Sequence, residues 1–165
     1  MYIKINDYSV VVCGVAASGK TTIAQRLASE LDLPFIDADD LHSSENLKKM
    51  TAGIALDDGD RTEWLDEILT AMDLPVVIAC SALKREYRNR LRENHLNTVF
   101  LFLNVTKVEL LDRLTHRKGH FMPASLLDSQ LAIAEPLSAD EIGINLDGGK
   151  SIEEILKSSL EYIAR

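Results

Sequence analysis

The chain has 165 residues, 46% of them apolar, with 18 lysines and arginines against 26 aspartates and glutamates. That length suits a single domain, 1–165, with a full core, and the net charge of −8 argues against a duplex nucleic-acid partner, which requires a basic face. No apolar run approaches a membrane span, the N-terminus has no basic-then-apolar leader layout, and Cys13 and Cys80 sit in apolar runs with no Cys or His at ligand spacing. They read as buried, reduced thiols of a cytoplasmic protein.

Tyr2–Ile5 is either a small extra strand or a segment packed on an edge. Val10–Cys13 is the first clear strand, a short apolar run. Gly14-Val15-Ala16-Ala17-Ser18-Gly19-Lys20-Thr21, followed by Thr22, fits the phosphate-binding pattern G-x-x-x-x-G-K-[ST]. Ile23, Ala24, Leu27, Ala28 and Leu31 then recur at helical spacing. Strand, glycine loop and helix in that order are what the motif requires. Backbone N–H groups of the loop and the positive end of the helix dipole face a phosphate. Lys20 reaches the β- and γ-phosphates, and the Thr21 hydroxyl ligates Mg²⁺. The expectation is binding of ATP or GTP.

Pro34–Ile36 is the second strand, and Asp37-Ala38-Asp39-Asp40-Leu41-His42 follows it. In a parallel sheet the residues just after each strand collect at the ligand edge. Asp39 is therefore read as the carboxylate that accepts the proton of an attacking hydroxyl, and Asp37 as a Mg²⁺ ligand through water. Asp40 reads as an exposed acid. His42 is either a helix-start histidine or a substrate contact. A capping box at Asp60-Arg61-Thr62-Glu63 opens a helix through Leu69. Arg61 is either paired with a neighbouring acid or a planar clamp for an anionic substrate; Trp64 reads as packing.

Val76–Cys80 is the third strand. Ser81 after it is placed to bond substrate. Lys84 and Arg88, four apart on a helix, share a face and together read as a carboxylate clamp. Val99–Val105 is the fourth strand, and Thr106-Lys107-Val108-Glu109 caps a helix through Arg117. Arg113 and Arg117 read as cations that close over the nucleotide from a small lid around 113–135. Ile144–Leu146 is the fifth strand, and Ser151-Ile152-Glu153-Glu154 caps the last helix. Alternating strands and helices imply a three-layer α/β fold with a parallel sheet of about five strands.

Several of these stretches together resemble one family. Gly14-Val15-x-x-Ser18-Gly19-Lys20, Asp37-x-Asp39-x-Leu41-His42, Asn46-x-x-Lys49-Met50, Leu56-Asp57-Asp58-x-Asp60-Arg61-x-x-Trp64-Leu65, Cys80-Ser81-Ala82-Leu83-Lys84-x-x-Tyr87-Arg88 and Arg117-x-Gly119-His120-Phe121-Met122 are similar to the small P-loop gluconokinases. The likeness runs from the first strand to about Pro136. It implies a nucleoside-monophosphate-kinase-like fold with strand order 2-3-1-4-5, ATP with Mg²⁺, gluconate as acceptor and a homodimer. It also implies His120 and His42 on the substrate side. The chain departs from the family at Ala16-Ala17, where Ser-Gly is usual, a change tolerated if Ala17 keeps a right-handed backbone. Ser43 and Ala55 replace two frequent prolines.

Two other readings stay open from the residues. One is a related kinase of another small anion, such as shikimate or a different sugar acid. The other is a GTP switch or non-catalytic regulator. Thr106-Lys107-Val108-Glu109 faintly matches [NT]-K-x-D, but it has Glu where Asp is needed and no D-x-x-G follows the third strand. Retention of Lys20, Thr21 and Asp39 argues against a dead binding protein.

Overall fold

Short apolar runs and capped helices alternate along the chain, and the computed structural model, which describes residues 8–73, 75–118 and 123–165, closes them into one parallel sheet. Its strands are β1 (Ser9–Cys13), β2 (Phe35–Asp37), β3 (Val77–Ala79), β4 (Thr98–Asn104) and β5 (Gly143–Asp147). They lie in the order β2-β3-β1-β4-β5, the order the resemblance implies, with ends within one residue of those read in the sequence. Tyr2–Ile5 lies outside the described residues. At Gly143 a Cβ would stand 2.1 Å from the Phe100 carbonyl oxygen. Glycine there lets β5 pair with β4 at Phe100.

Among the described residues seven α-helices surround the strands in sequence: α1 (Lys20–Leu31), α2 (Ser44–Thr51), α3 (Asp58–Ala71), α4 (Arg85–Arg92), α5 (Lys107–His116), α6 (Ala124–Ile133) and α7 (Ile152–Ile163). Capping boxes open α5 at Thr106 and α7 at Ser151, as read. The box of α3 starts one turn earlier than expected. Asp57 is the cap, its carboxylate accepting the Asp60 N–H at 2.8 Å while Asp60 accepts the Asp57 N–H at 3.0 Å. Asp60 is thus the fourth and last residue of the box and not its first, and its carboxylate also takes Lys49 Nζ at 2.8 Å. Ser43 replaces proline usefully, since its Oγ accepts the Asn46 N–H at 3.2 Å and caps α2.

Alternation along β1 divides the core. Val11 and Cys13 face α3 and α4, where Trp64, Ile68, Tyr87 and Leu91 are buried. Val10 and Val12 face α1 and α7, against Ile23, Leu27, Ile155 and Leu156. A third, smaller cluster of Val15, Leu83, Leu110 and Leu127 lies beneath the phosphate loop and fastens α5 and α6 to it.

The loop itself corrects one expectation. Gly14 and Gly19 have φ of 147° and 95°, as glycines permit, but Ala17 also sits at φ 64°. Its backbone is left-handed, not right-handed. For a side-chain-bearing residue that conformation costs about 1–2 kcal/mol, so the glycine usual in the family answers a steric demand that this chain meets under strain. Ala17→Gly is expected to stabilise the protein by about 1 kcal/mol, a rise of roughly 2–4 °C in Tm, measured by calorimetry.

Candidate active site

The turn from β1 into α1 builds an anion cradle. α1 begins at Lys20 with no acidic residue in its first turn, so its positive dipole end is left for a ligand. Lys20 Nζ lies against the loop, donating to the Val15 carbonyl at 2.9 Å. Burial pushes the Lys20 pKa down, and the carboxylates of Asp39 and Asp37 pull against that shift. Ser18 Oγ is buried with no partner among the described residues, a polar atom turned into the loop that only a ligand or water would satisfy. Thr21 Oγ1 donates to Asp37 Oδ2 at 3.0 Å, and Asp37 Oδ1 accepts the Asp39 N–H at 3.0 Å. This hydroxyl–carboxylate pair beside the phosphate loop is the hard-oxygen donor set that suits Mg²⁺. The loop and pair together fit a nucleoside triphosphate with its metal.

Beside the cradle opens a cleft of about 360 Å³. Lys20, Asp39, Asp40, His42, Arg61 and Ser81 supply its polar lining, with Gln130 from α6; Leu47, Met50, Trp64 and Leu126 supply apolar walls. Asp39 is 75% exposed in its side chain and stands 4.0 Å from His42 Nε2. A three-residue strand feeding a 3₁₀ turn over Ala38–Leu41, capped by Asp37, holds Asp39 at the sheet edge. His42 stacks on Trp64, ring centroids 4.5 Å apart and planes 11° apart. Trp64 is fixed in turn by its Nε1–H, which donates to the Ala38 carbonyl at 2.7 Å, so it packs and lines the cleft at once. Burial lowers the His42 pKa, Asp39 opposes the shift and Arg61 adds to it. His42 Nδ1 is buried and unpartnered among the described residues. Among the described residues Arg61 forms no carboxylate pair; its Nη1 donates to the Leu56 carbonyl at 2.5 Å and lies 3.5 Å from the Tyr87 hydroxyl. Ser81 lines the cleft, and its carbonyl accepts the Gly14 N–H at 3.2 Å, joining the loop after β3 to the phosphate loop.

Comparison with known proteins bears directly on this arrangement. The family model for shikimate kinase matches residues 16–141. A gluconokinase of Gluconobacter oxydans is 42% identical over 160 residues, covering 93% of this chain and 89% of that one. The chain belongs to the gluconokinase family. A crystal structure of a gluconokinase from Sinorhizobium meliloti superposes with a TM-score of 0.89 at 41% identity, over 96% of this chain and 93% of that one. Shikimate kinase from Aquifex aeolicus shares the fold at a TM-score of 0.64 and 17% identity, over 94% of this chain and 95% of that one.

Within this family frame, several expected site residues take other places. Arg88 is not on the cleft. Its side chain is 1% exposed and forks onto Glu141, itself 5% exposed, with Nε to Oε1 at 2.6 Å and Nη2 to Oε2 at 3.0 Å. Nη1 donates to the carbonyls of Ala82 at 2.9 Å and Leu83 at 3.2 Å. With four of its five N–H donors engaged and its side chain 1% exposed, this guanidinium is not presented to a substrate carboxylate. Lys84 turns elsewhere, to Asp58 Oδ1 at 2.9 Å and over the Tyr87 ring, so helical spacing did not make these two a common clamp. Arg113 is bonded through Nη1 to the Ala17 and Ser18 carbonyls at 3.2 Å and through Nη2 to Gly148 O at 2.7 Å. It braces the phosphate loop against the loop after β5. Arg117 ends α5, which stops at His116, and its side chain is exposed with no partner among the described residues. His120 lies outside the described residues. Gln130 was missed. It accepts the Ala16 N–H at 2.7 Å, and no local motif marks a glutamine in mid-helix for that contact.

Arg88→Ala is expected to leave Glu141 buried without its partner and to cost about 3–5 kcal/mol, read by urea unfolding. For His42, a folded pKa below the ordinary 6.5 means that the unfolded chain takes up the proton first. The contribution to stability is therefore complete above about pH 6.5 and is lost as pH falls through the lowered folded value. An NMR titration of the His42 ring should give a midpoint below 6.5, and Asp39→Asn should lower it further by removing the carboxylate that favours imidazolium.

Proposed function

We propose that this protein is an ATP-dependent gluconokinase, transferring a phosphoryl group to D-gluconate to give 6-phospho-D-gluconate. The observation that carries the reading is a single cleft lined by both the phosphate loop's Lys20 and the carboxylate of Asp39. Arg61, Ser81 and His42 supply polar groups for a small anionic polyol around it. Family membership at about 40% identity over most of the chain supports the acceptor. ATP bound with Mg²⁺ supplies the phosphoryl group and the divalent charge that shields it.

The chain's own residues do the rest. Asp39 orients the primary hydroxyl and takes its proton as the oxygen attacks in line. Gly14, Val15, Ala16, Ala17, Ser18, Gly19 and Thr22 shape the cradle. Thr21 and Asp37 hold the metal. Lys20 offsets charge on the moving group, with Arg117 as a further cation. Arg113 acts by holding the loop. Arg61 receives the carboxylate of the acceptor as a planar donor fork, now without Arg88. Ser81 and the neutral His42 bond hydroxyls, and His120 completes the substrate side, now without Lys84, which is held by Asp58. α6 lines the site through Leu126, Ser129 and Gln130, while residues 119–122 of the expected lid lie outside the described residues.

The reading includes a homodimer, supported by exposed Val108 and Leu111 on α5, and a cytoplasmic location, supported by free, buried Cys13 and Cys80. Burial pushes the Cys80 thiol up to about 12. Among the described residues no helix is long and apolar enough to cross a membrane. A kinase of shikimate or of another sugar acid is the second reading, favoured by the shikimate kinase model.

Release of ADP from purified protein with Mg²⁺-ATP is to be measured across gluconate, shikimate, other sugar acids and no acceptor. Gluconate-dependent turnover is expected. Asp39→Asn should then lower kcat by about 10²–10⁴-fold with little change in gluconate binding. A rise in KM at constant kcat would make Asp39 a binding group and not the base.

A further inference from the structure

Gln130 stands on α6 and reaches across to the phosphate loop. Its Oε1 accepts the Ala16 N–H at 2.7 Å. That bond fixes which way the amide faces, because only the oxygen of a glutamine accepts from an N–H. Nε2 keeps two N–H donors, and none of the described residues accepts from them. The side chain is half-buried and lines the same cleft as Lys20, Asp39 and Ser81.

The helix that carries it is not free to swing. Leu126 and Leu127, one turn before Gln130, are buried, and Leu127 belongs to the apolar cluster under the loop. Beyond the helix, the Glu135 N–H donates to the Leu83 carbonyl at 2.8 Å, and Glu135 Oε2 accepts the Arg85 N–H at 2.8 Å. α6 is therefore tied at both ends to the elements that form the cleft. A half-buried donor held in place by its own carbonyl is preorganised, since its orientation is fixed before any ligand arrives.

We infer that Gln130 is a specificity residue for the acceptor. Its Oε1 is pinned by the phosphate loop so that Nε2 donates to an oxygen of the acceptor beside the reacting hydroxyl. The Ala16 N–H is spent on Gln130, which sets this residue at the seam between the nucleotide and the acceptor, on the acceptor's side. A site that presents a fixed donor discriminates against acceptors lacking the matching oxygen, because the donor is then left unpaired. This rests on the proposed kinase reading for the presence of an acceptor, not for its identity.

The test compares the parent protein with Gln130→Glu and Gln130→Met, using the acid that the parent phosphorylates in the panel above. Gln130→Glu keeps an oxygen for Ala16 and removes both donors. It should raise the acceptor KM about tenfold or more and leave the KM for ATP within about twofold. Gln130→Met, uncharged, should raise the acceptor KM at least as much, which separates loss of the donor from repulsion by a new carboxylate. In ¹⁵N-labelled parent, the side-chain amide signals of Gln130, assigned by their loss in Gln130→Met, should shift on saturation with the acceptor and not with ATP alone. Gluconate failing while another acid turns over would refute the substrate reading, and the amide shift is then read with that acid. Acceptor KM unchanged in both variants, a rise confined to the KM for ATP, no amide shift, or no turnover with any acid would each overturn the inference.

Discussion

The Gly14 N–H bonds the Ser81 carbonyl, and the cleft depends on this contact between two loops. β1 is the central strand, paired with β3 on one side and β4 on the other, with all five of its residues buried. It delivers the phosphate loop to the carboxyl edge of the sheet at the same height as the loop after β3. The contact fixes the spacing between the phosphate loop and the loop after β3. A Cβ at Gly14 would lie 2.7 Å from Ser18 Oγ and 3.0 Å from the Leu103 carbonyl, so the join leaves no room for a side chain. Arg113 from the α5 side and Gln130 from α6 then grip the loop's carbonyls and amide from outside. In-line transfer needs its partners held to within a fraction of an ångström, and four elements converge on one loop to provide that.

Charge is arranged by pairing. The chain is acidic overall, and three acids on the elements around the cleft are matched with cations, while Asp39 and Asp40 line the cleft unpaired with Lys or Arg. Asp60 takes Lys49, Asp58 takes Lys84 and the Tyr87 hydroxyl, and Glu141 takes Arg88. Among the described cleft residues, Lys20 and Arg61 are the cations not spent on a carboxylate. The buried Arg88–Glu141 pair does its work out of contact with the cleft. Bonds to the Ala82 and Leu83 carbonyls hold the loop after β3, where Ala82 has a φ of 36°. Arginine suits that position, since its planar fork satisfies a carboxylate and two carbonyls at once.

The order of the elements, the phosphate loop, the helix caps at Thr106 and Ser151, and Asp37 and Asp39 after β2 were all legible in the sequence. Each of them is a local matter. Strand runs, capping boxes and the glycine loop are written in contiguous residues, and the position of Asp39 follows from the rule that parallel strands point their ends at the ligand. The motifs were also enough to carry the family resemblance.

Tertiary structure decided which cations remain available. Helical spacing puts Lys84 and Arg88 on one face, but it is silent about acids that arrive from elsewhere in the chain, and Asp58 and Glu141 claim them from 26 and 53 residues away. Arg113 was legible as a cation near the nucleotide, whereas its three carbonyl partners come from two distant loops. Gln130 bonds a residue 114 positions away, a contact with no local signature. Even Ala17, visible as a missing glycine, needed the fold to show that its position is left-handed. The sequence by itself determined the chemistry of the phosphate loop and the order of the sheet, because both follow from local pattern. Partner choice among charged and amide side chains was left to tertiary structure, because it depends on which distant segments the fold brings within hydrogen-bonding distance.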